Sequence, residues 1–136
     1  MTIKRIDHIA IVVENLDQAL EVYRDALGMT VAAIKEMPEQ DVKMAFLPTG
    51  DSEIELLEPI HPDSGIAKYL AKRGEGMHHV CLEVDDIEGM LAQLQAKGIQ
   101  LINETPKVST DGKKYAFVHP KSAFGVMVEL YELPKP

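Results

Sequence analysis

Ile6-Asp7-His8-Ile9-Ala10-Ile11-Val12-Val13 and Met77-His78-His79-Val80-Cys81-Leu82-Glu83-Val84 are two versions of one segment. Each has the alternation of a β-strand, and each carries a histidine near its start. An amphipathic helix follows each. After the first, Asn15 can cap, Leu16, Ala19, Leu20, Tyr23 and Leu27 recur at helical spacing, and Gly28 stands at the C-terminus. After the second, Asp85 or Asp86 can cap, Ile87, Met90, Leu91 and Leu94 form the stripe, and Gly98 ends it. Shorter strand candidates complete each copy, over 31–34, 42–47 and 53–57, then over 101–102, 114–118 and 126–131. Ala45-Phe46-Leu47-Pro48 is echoed by Ala116-Phe117-Val118-His119-Pro120, and Ile54-Glu55-Leu56 by Val128-Glu129-Leu130. The chain is an internal duplication.

The expected fold is therefore α+β. Two tandem βαβββ modules, about 3–58 and 77–132, form a curved, mostly antiparallel sheet, an incomplete barrel with its helices outside. The intervening 59–76 begins as a loop, because of Pro59 and Pro62, and continues as a short helix over 65–72. Ile66, Tyr69 and Leu70 face inward from that helix. The 136 residues suffice for one domain with a substantial core.

Composition narrows the function. The net charge of −8 argues against nucleic acid as a partner, since phosphate backbones demand a basic surface. It leaves room for a small anionic ligand. Seven of the 14 basic residues fall in two groups, Lys68, Lys72 and Arg73, then Lys107, Lys113, Lys114 and Lys121. No apolar run is long enough to span a membrane, and the first residues enter a strand pattern with no leader-like segment. The single cysteine, Cys81, allows no internal disulfide and fits a reducing compartment, the cytoplasm by default.

The duplication pairs chemistry with chemistry: His8 corresponds to His79, and Glu55 to Glu129. In the first strand Ile9, Ile11 and Val13 share one face and His8, Ala10 and Val12 the other. In the second, Val80, Leu82 and Val84 oppose His79, Cys81 and Glu83. The apolar face should meet the helix, so both histidines point to the concave side. A glutamate between apolar neighbours is costly unless compensated, and a divalent cation would compensate it. Two imidazoles and two carboxylates suit Mn, Fe, Co, Ni or Zn. On a six-coordinate ion they leave two adjacent positions open, as a catalytic site requires.

These residues resemble the vicinal oxygen chelate superfamily and, within it, the methylmalonyl-CoA epimerase family. The resemblance runs from Ile6 to Tyr131. Its general part is Asp7-His8-Ile9-Ala10 with Leu27-Gly28. Its specific part is Ile54-Glu55-Leu56-Leu57-Glu58-Pro59, the run from Asp63 to Leu70, Gly74-Glu75-Gly76-Met77-His78-His79, His119-Pro120-Lys121-Ser122 and Gly125-Val126-Met127-Val128-Glu129-Leu130.

The resemblance implies metal ligands at His8, Glu55, His79 and Glu129, with cobalt favoured in vitro and manganese, nickel, iron and zinc as alternatives. It implies a CoA thioester substrate, a homodimer, and interconversion of the (R) and (S) epimers of methylmalonyl-CoA through a metal-stabilised enolate. Glu129 is the first candidate for proton transfer and Glu55 the second. Some described epimerases carry a catalytic glutamate where this chain has Met44, so the second base is left open. Lys113, Lys114 and Lys121 are candidates to meet CoA phosphates, and Ser122 to shape the acyl pocket.

Three rivals remain. A glyoxalase I-like lactoylglutathione lyase would use the same four ligands. A ring-cleaving dioxygenase needs only two histidines and one carboxylate. A metal-free small-molecule-binding member would need none of the four together.

Overall fold

A computed structural model describes residues 1–136. Alternating apolar residues carry β1 over Ile3–Val12. Asn15 then ends the extended run. Its side chain accepts a hydrogen bond from the Gln18 amide and so caps α1 (Leu16–Leu20). The helix continues as a π-helical stretch, Glu21–Ala26, with the Leu27 amide donating to the Val22 carbonyl. Gly28, at φ +79°, supplies the left-handed residue that ends it.

Three strands follow: β2 (Ala33–Met37), β3 (Val42–Thr49) and β4 (Ser52–Pro59). Their order is β2-β3-β4-β1, antiparallel except for β4 against β1. That parallel pair sets Ala10 opposite Glu55 and Val12 opposite Leu57. The connecting α2 (Gly65–Arg73) is capped by Ser64, whose side chain accepts from the Ala67 amide.

The second copy repeats this plan. β5 (Gly76–Val84) leads into α3 (Ile87–Ala96), capped by Asp86 through the Gly89 amide. Then come β6 (Lys107–Val108), β7 (Lys114–Val118), a 3-10 turn over Pro120–Ala123, and β8 (Val128–Glu132). The order is β5-β8-β7-β6, with β5 and β8 parallel and the other pairs antiparallel. Antiparallel pairing dominates in both copies, as expected.

Contacts divide the chain into two compact units, His8–His78, and Met1–Asp7 together with His79–Pro136. The start of β1 thus counts with the second copy. The Thr2 amide donates to Asp85 Oδ1 at 2.7 Å, and Arg5 Nε donates to Glu83 Oε1 at 2.8 Å.

Each unit has its own helix-side core. Val13, Leu16, Leu20, Ala45, Leu47 and Leu56 form the first; Val84, Ile87, Leu91, Ala116, Val118 and Leu130 form the second. A buried side chain of this size contributes roughly 1.5–3 kcal/mol. Each core is also pinned by a carboxylate that the sequence reading did not single out. Glu58 accepts from the Leu16 amide at 2.7 Å, and buried Glu132 accepts from the Ile87 amide at 2.9 Å. Both satisfy a donor at the start of a helix, where negative charge is favoured.

Several boundaries differ from the sequence expectation; β8 begins at Val128 rather than 126, and β3 runs on to Thr49. β2 begins at Ala33 rather than 31, because the amides of Leu27, Gly28 and Met29 are still bonded back into the first helix. β4 runs through Glu58 to Pro59, a terminal strand position where proline's missing N–H costs nothing. Residues 101–102 form no strand: Leu101 makes one isolated bridge to Val118, and the short β6 lies later.

Candidate active site

Strand alternation places the site residues. Ile11 and Val13 pack into the α1 core, while Ala10 and Val12 belong to a separate cluster on the other side of the strand. His8 shares the phase of Ala10 and Val12. Glu55, lying between Ile54 and Leu56 of the helix-side core, shares that side. His8 Nδ1 lies 3.4 Å from Glu55 Oε2, and both side chains are buried. In the second unit Leu82, Val84, Val128 and Leu130 pack toward α3, leaving His79 and Glu129 on the opposite face. There His79 Nε2 lies 3.0 Å from Glu129 Oε1.

One register produces both pairs. The residue two after each histidine, Ala10 or Cys81, sits opposite the glutamate. A phenylalanine faces each glutamate from the next strand: Phe46 opposite Glu55, Phe117 opposite Glu129. The Phe117 ring stands edge-on to the His79 imidazole, with centroids 5.6 Å apart and planes at 88°.

The donor chemistry can be tested against a divalent metal ion. Each pair offers one imidazole nitrogen and one carboxylate oxygen, buried at Glu55 and half-buried at Glu129, where a carboxylate needs compensation. Imidazole with carboxylate is the donor combination of first-row divalent ions. The residues fit such an ion.

Around these pairs the two units diverge. In the first, Ala10, Val12, Val42, Met44 and Leu57 form an apolar cluster, joined by Ile66 and Leu70 of α2. Met44 is 4% exposed within it. In the second, the corresponding face is polar. Arg5 donates to both Glu83 and Asp7 at 2.8 Å, and the Tyr131 hydroxyl donates to Asp7 Oδ1 at 2.7 Å. Burial, that hydrogen bond and the nearby Asp7 and Glu83 charges push the Tyr131 phenol well above its usual range. The sequence reading missed this network. Its signal was the alternation of Arg5 with Asp7 and the placement of Glu83 and Tyr131 in the phase of His79 and Glu129.

The substrate candidates separate. Lys113 Nζ lies 3.5 Å from Asp111 and 5.6 Å from the Tyr131 ring centroid, on the polar face. Lys114, one residue on, points the other way and pairs with Glu88 of α3 at 3.0 Å. Lys121 is exposed on the 3-10 turn, and Ser122 Oγ accepts from the Gln100 amide at 2.8 Å. His78 packs edge-on against Tyr69, and exposed His61 pairs with Asp41.

This duplicated architecture, with one histidine and one glutamate per copy, matches a known family. The chain belongs to the glyoxalase/bleomycin resistance protein/dioxygenase superfamily, whose family model matches residues 7–117. Among its relatives is the mitochondrial methylmalonyl-CoA epimerase of Mus musculus, 40% identical over 127 residues, covering 93% of this chain and 71% of that protein. The ethylmalonyl-CoA/methylmalonyl-CoA epimerase of Cereibacter sphaeroides is 37% identical, covering 96% of this chain and 99% of its own. A solved structure of a Streptomyces coelicolor methylmalonyl-CoA epimerase variant, in complex with 2-nitronate-propionyl-CoA, superposes with a TM-score of 0.85 at 36% identity, covering 98% of this chain and all of that one. No helix is long and apolar enough to cross a membrane.

Proposed function

We propose that this chain is a metal-dependent epimerase that interconverts (R)- and (S)-methylmalonyl-CoA. The observation that carries the reading is the matched pair of histidine–glutamate contacts, buried His8 with Glu55 and buried His79 with half-buried Glu129. The similarity to epimerases of mouse, Cereibacter and Streptomyces supports the substrate.

His8, Glu55, His79 and Glu129 would together hold one divalent ion, cobalt in vitro. When bound, the ion supplies Lewis-acid stabilisation of negative charge on the thioester oxygen, a contribution of several kcal/mol. Glu129 takes the carbon-2 proton from one face of the substrate. The product face is protonated from the other side, and Glu55 in its carboxylic acid form is the group available for that, since Met44 carries no proton. Each carboxylate returns to its starting state by exchange with solvent. Lys113, Lys114 and Lys121 are the candidates for CoA phosphates, with the ammonium groups of Lys113 and Lys114 paired to Asp111 and Glu88. We further infer a homodimer in the cytoplasm; the buried single thiol of Cys81 suits a reducing compartment.

The test is proton NMR of methylmalonyl-CoA in deuterated water, with protein stripped of metal and then given cobalt. Cobalt-dependent loss of the carbon-2 proton signal, together with interconversion of the epimers, is the expected result. Absence of exchange with every divalent metal sinks the reading and brings forward turnover of a glutathione hemithioacetal, or ligand binding without metal.

A further inference from the structure

The two histidine–glutamate pairs share register but not surroundings. His79 lies at the end of a row of rings: Tyr115 stands edge-on to Phe117 at 6.3 Å, and Phe117 edge-on to His79 at 5.6 Å. Phe117 is itself held at both backbone atoms. Its amide donates to Asn103 Oδ1 at 2.9 Å, and its carbonyl accepts from the Ile102 amide at 2.8 Å. Its cross-strand partner is Glu129. One half-buried ring therefore borders both members of the closer pair.

In the first copy the same row reads Met44 and Phe46. Met44 is a flexible thioether in place of a ring, and Phe46 has the Lys35 ammonium 5.9 Å from its centroid. The His8–Glu55 separation there is 3.4 Å, against 3.0 Å for His79–Glu129.

We propose that Phe117 is a positioning residue, fixing the orientation of the His79 ring so that the His79–Glu129 half is pre-organised for metal. This rests on the metal-dependent reading above. An edge-to-face contact has a preferred geometry: the electropositive rim of one ring meets the electronegative face of the other. An aliphatic side chain fills the volume without imposing that angle. Groups behind a ligand commonly govern affinity because they remove the cost of orienting it at binding.

The experiment compares Phe117→Leu, Phe117→Met, Phe117→Tyr and Phe46→Leu in the metal-free full chain. The first readout is the ring-proton NMR signals of His79, displaced by the neighbouring ring. The second is the dissociation constant for cobalt from its absorption titration. Phe117→Leu and Phe117→Met should move the His79 signals and weaken cobalt binding roughly 3- to 10-fold. Phe117→Tyr, which keeps the ring, should stay within about 2-fold, as should Phe46→Leu. Phe117→Met keeps the test valid should the leucine variant fail to fold. Unmoved His79 signals, or wild-type affinity in the leucine and methionine variants, overturn the inference and leave the epimerase reading standing. Wild-type protein that binds no cobalt overturns the metal reading instead, and the His79 signals, read without metal, then decide the role of Phe117 alone.

Discussion

The faces bearing His8 and His79 descend from one pattern and have diverged around a common pair of side chains. On the first, apolar residues surround the pair: Ala10, Val12, Val42, Met44 and Leu57, with Ile66 and Leu70 of α2. On the second, the positions of Val12 and Leu57 are taken by Glu83 and Tyr131, tied through Arg5 and Asp7. What stayed the same is the histidine, the glutamate, the phenylalanine opposite it, and the carboxylate that starts the helix. What changed is the polarity behind them. The difference teaches that duplication preserved the donor set in both copies, while the position of Met44 in the first is held by Tyr115 in the second.

The sharpest way to break this comparison is to remove one carboxylate charge at a time. Glu129→Gln should lower exchange of the carbon-2 proton about 10³-fold, within the range of a general base. On the proposed two-face mechanism, Glu55→Gln should still exchange the proton of one epimer while interconversion falls roughly 10²-fold. Deuterium uptake measured on each epimer separately checks this. Equal loss on both epimers in both variants would erase the functional distinction between the copies.

The helix-start carboxylates give a smaller contrast. Glu132→Ala removes a buried acceptor from the Ile87 amide and should cost about 1.5–3 kcal/mol. Glu58→Ala removes a half-buried one from Leu16 and should cost about half that. Urea midpoints compared at equal slope measure both. A larger loss for Glu58 would reverse the order that burial predicts.

The smallest effect concerns the start of β1. The Thr2 amide holds the exposed Asp85 carboxyl below its usual value by donating a hydrogen bond to it. A depressed carboxylate stabilises above its unfolded value, about pH 4, and that contribution is lost as pH falls through the lower folded value. Protection of the Thr2 amide from hydrogen exchange should therefore weaken below about pH 4 in the native chain. It should be weak at every pH in Asp85→Asn.

Much of the fold was legible because the repeat repeated its punctuation. Asn15 and Asp86 cap, Gly28 and Gly98 terminate at positive φ, and the apolar stripes face the cores they predict, except for Leu27, which the π-helical end of the first helix leaves exposed. The short edge strand β6 was not legible, since two residues carry no periodicity. The boundary of β2 was lost because the end of a helix depends on which carbonyls its last amides can still reach.

For the candidate site, the amino-acid sequence by itself determined the residue types, their matched spacing, and, through strand alternation, the side of each strand from which His8, Glu55, His79 and Glu129 project. Only the tertiary structure decided that each histidine meets its own copy's glutamate, that Lys114 turns away from Lys113, and that Phe117 stands edge-on to His79. The reason is physical. Alternation is a property of one strand, read two residues at a time. Register, ring angle and ion pairing belong to strands brought together from distant parts of the chain, and no local pattern contains them.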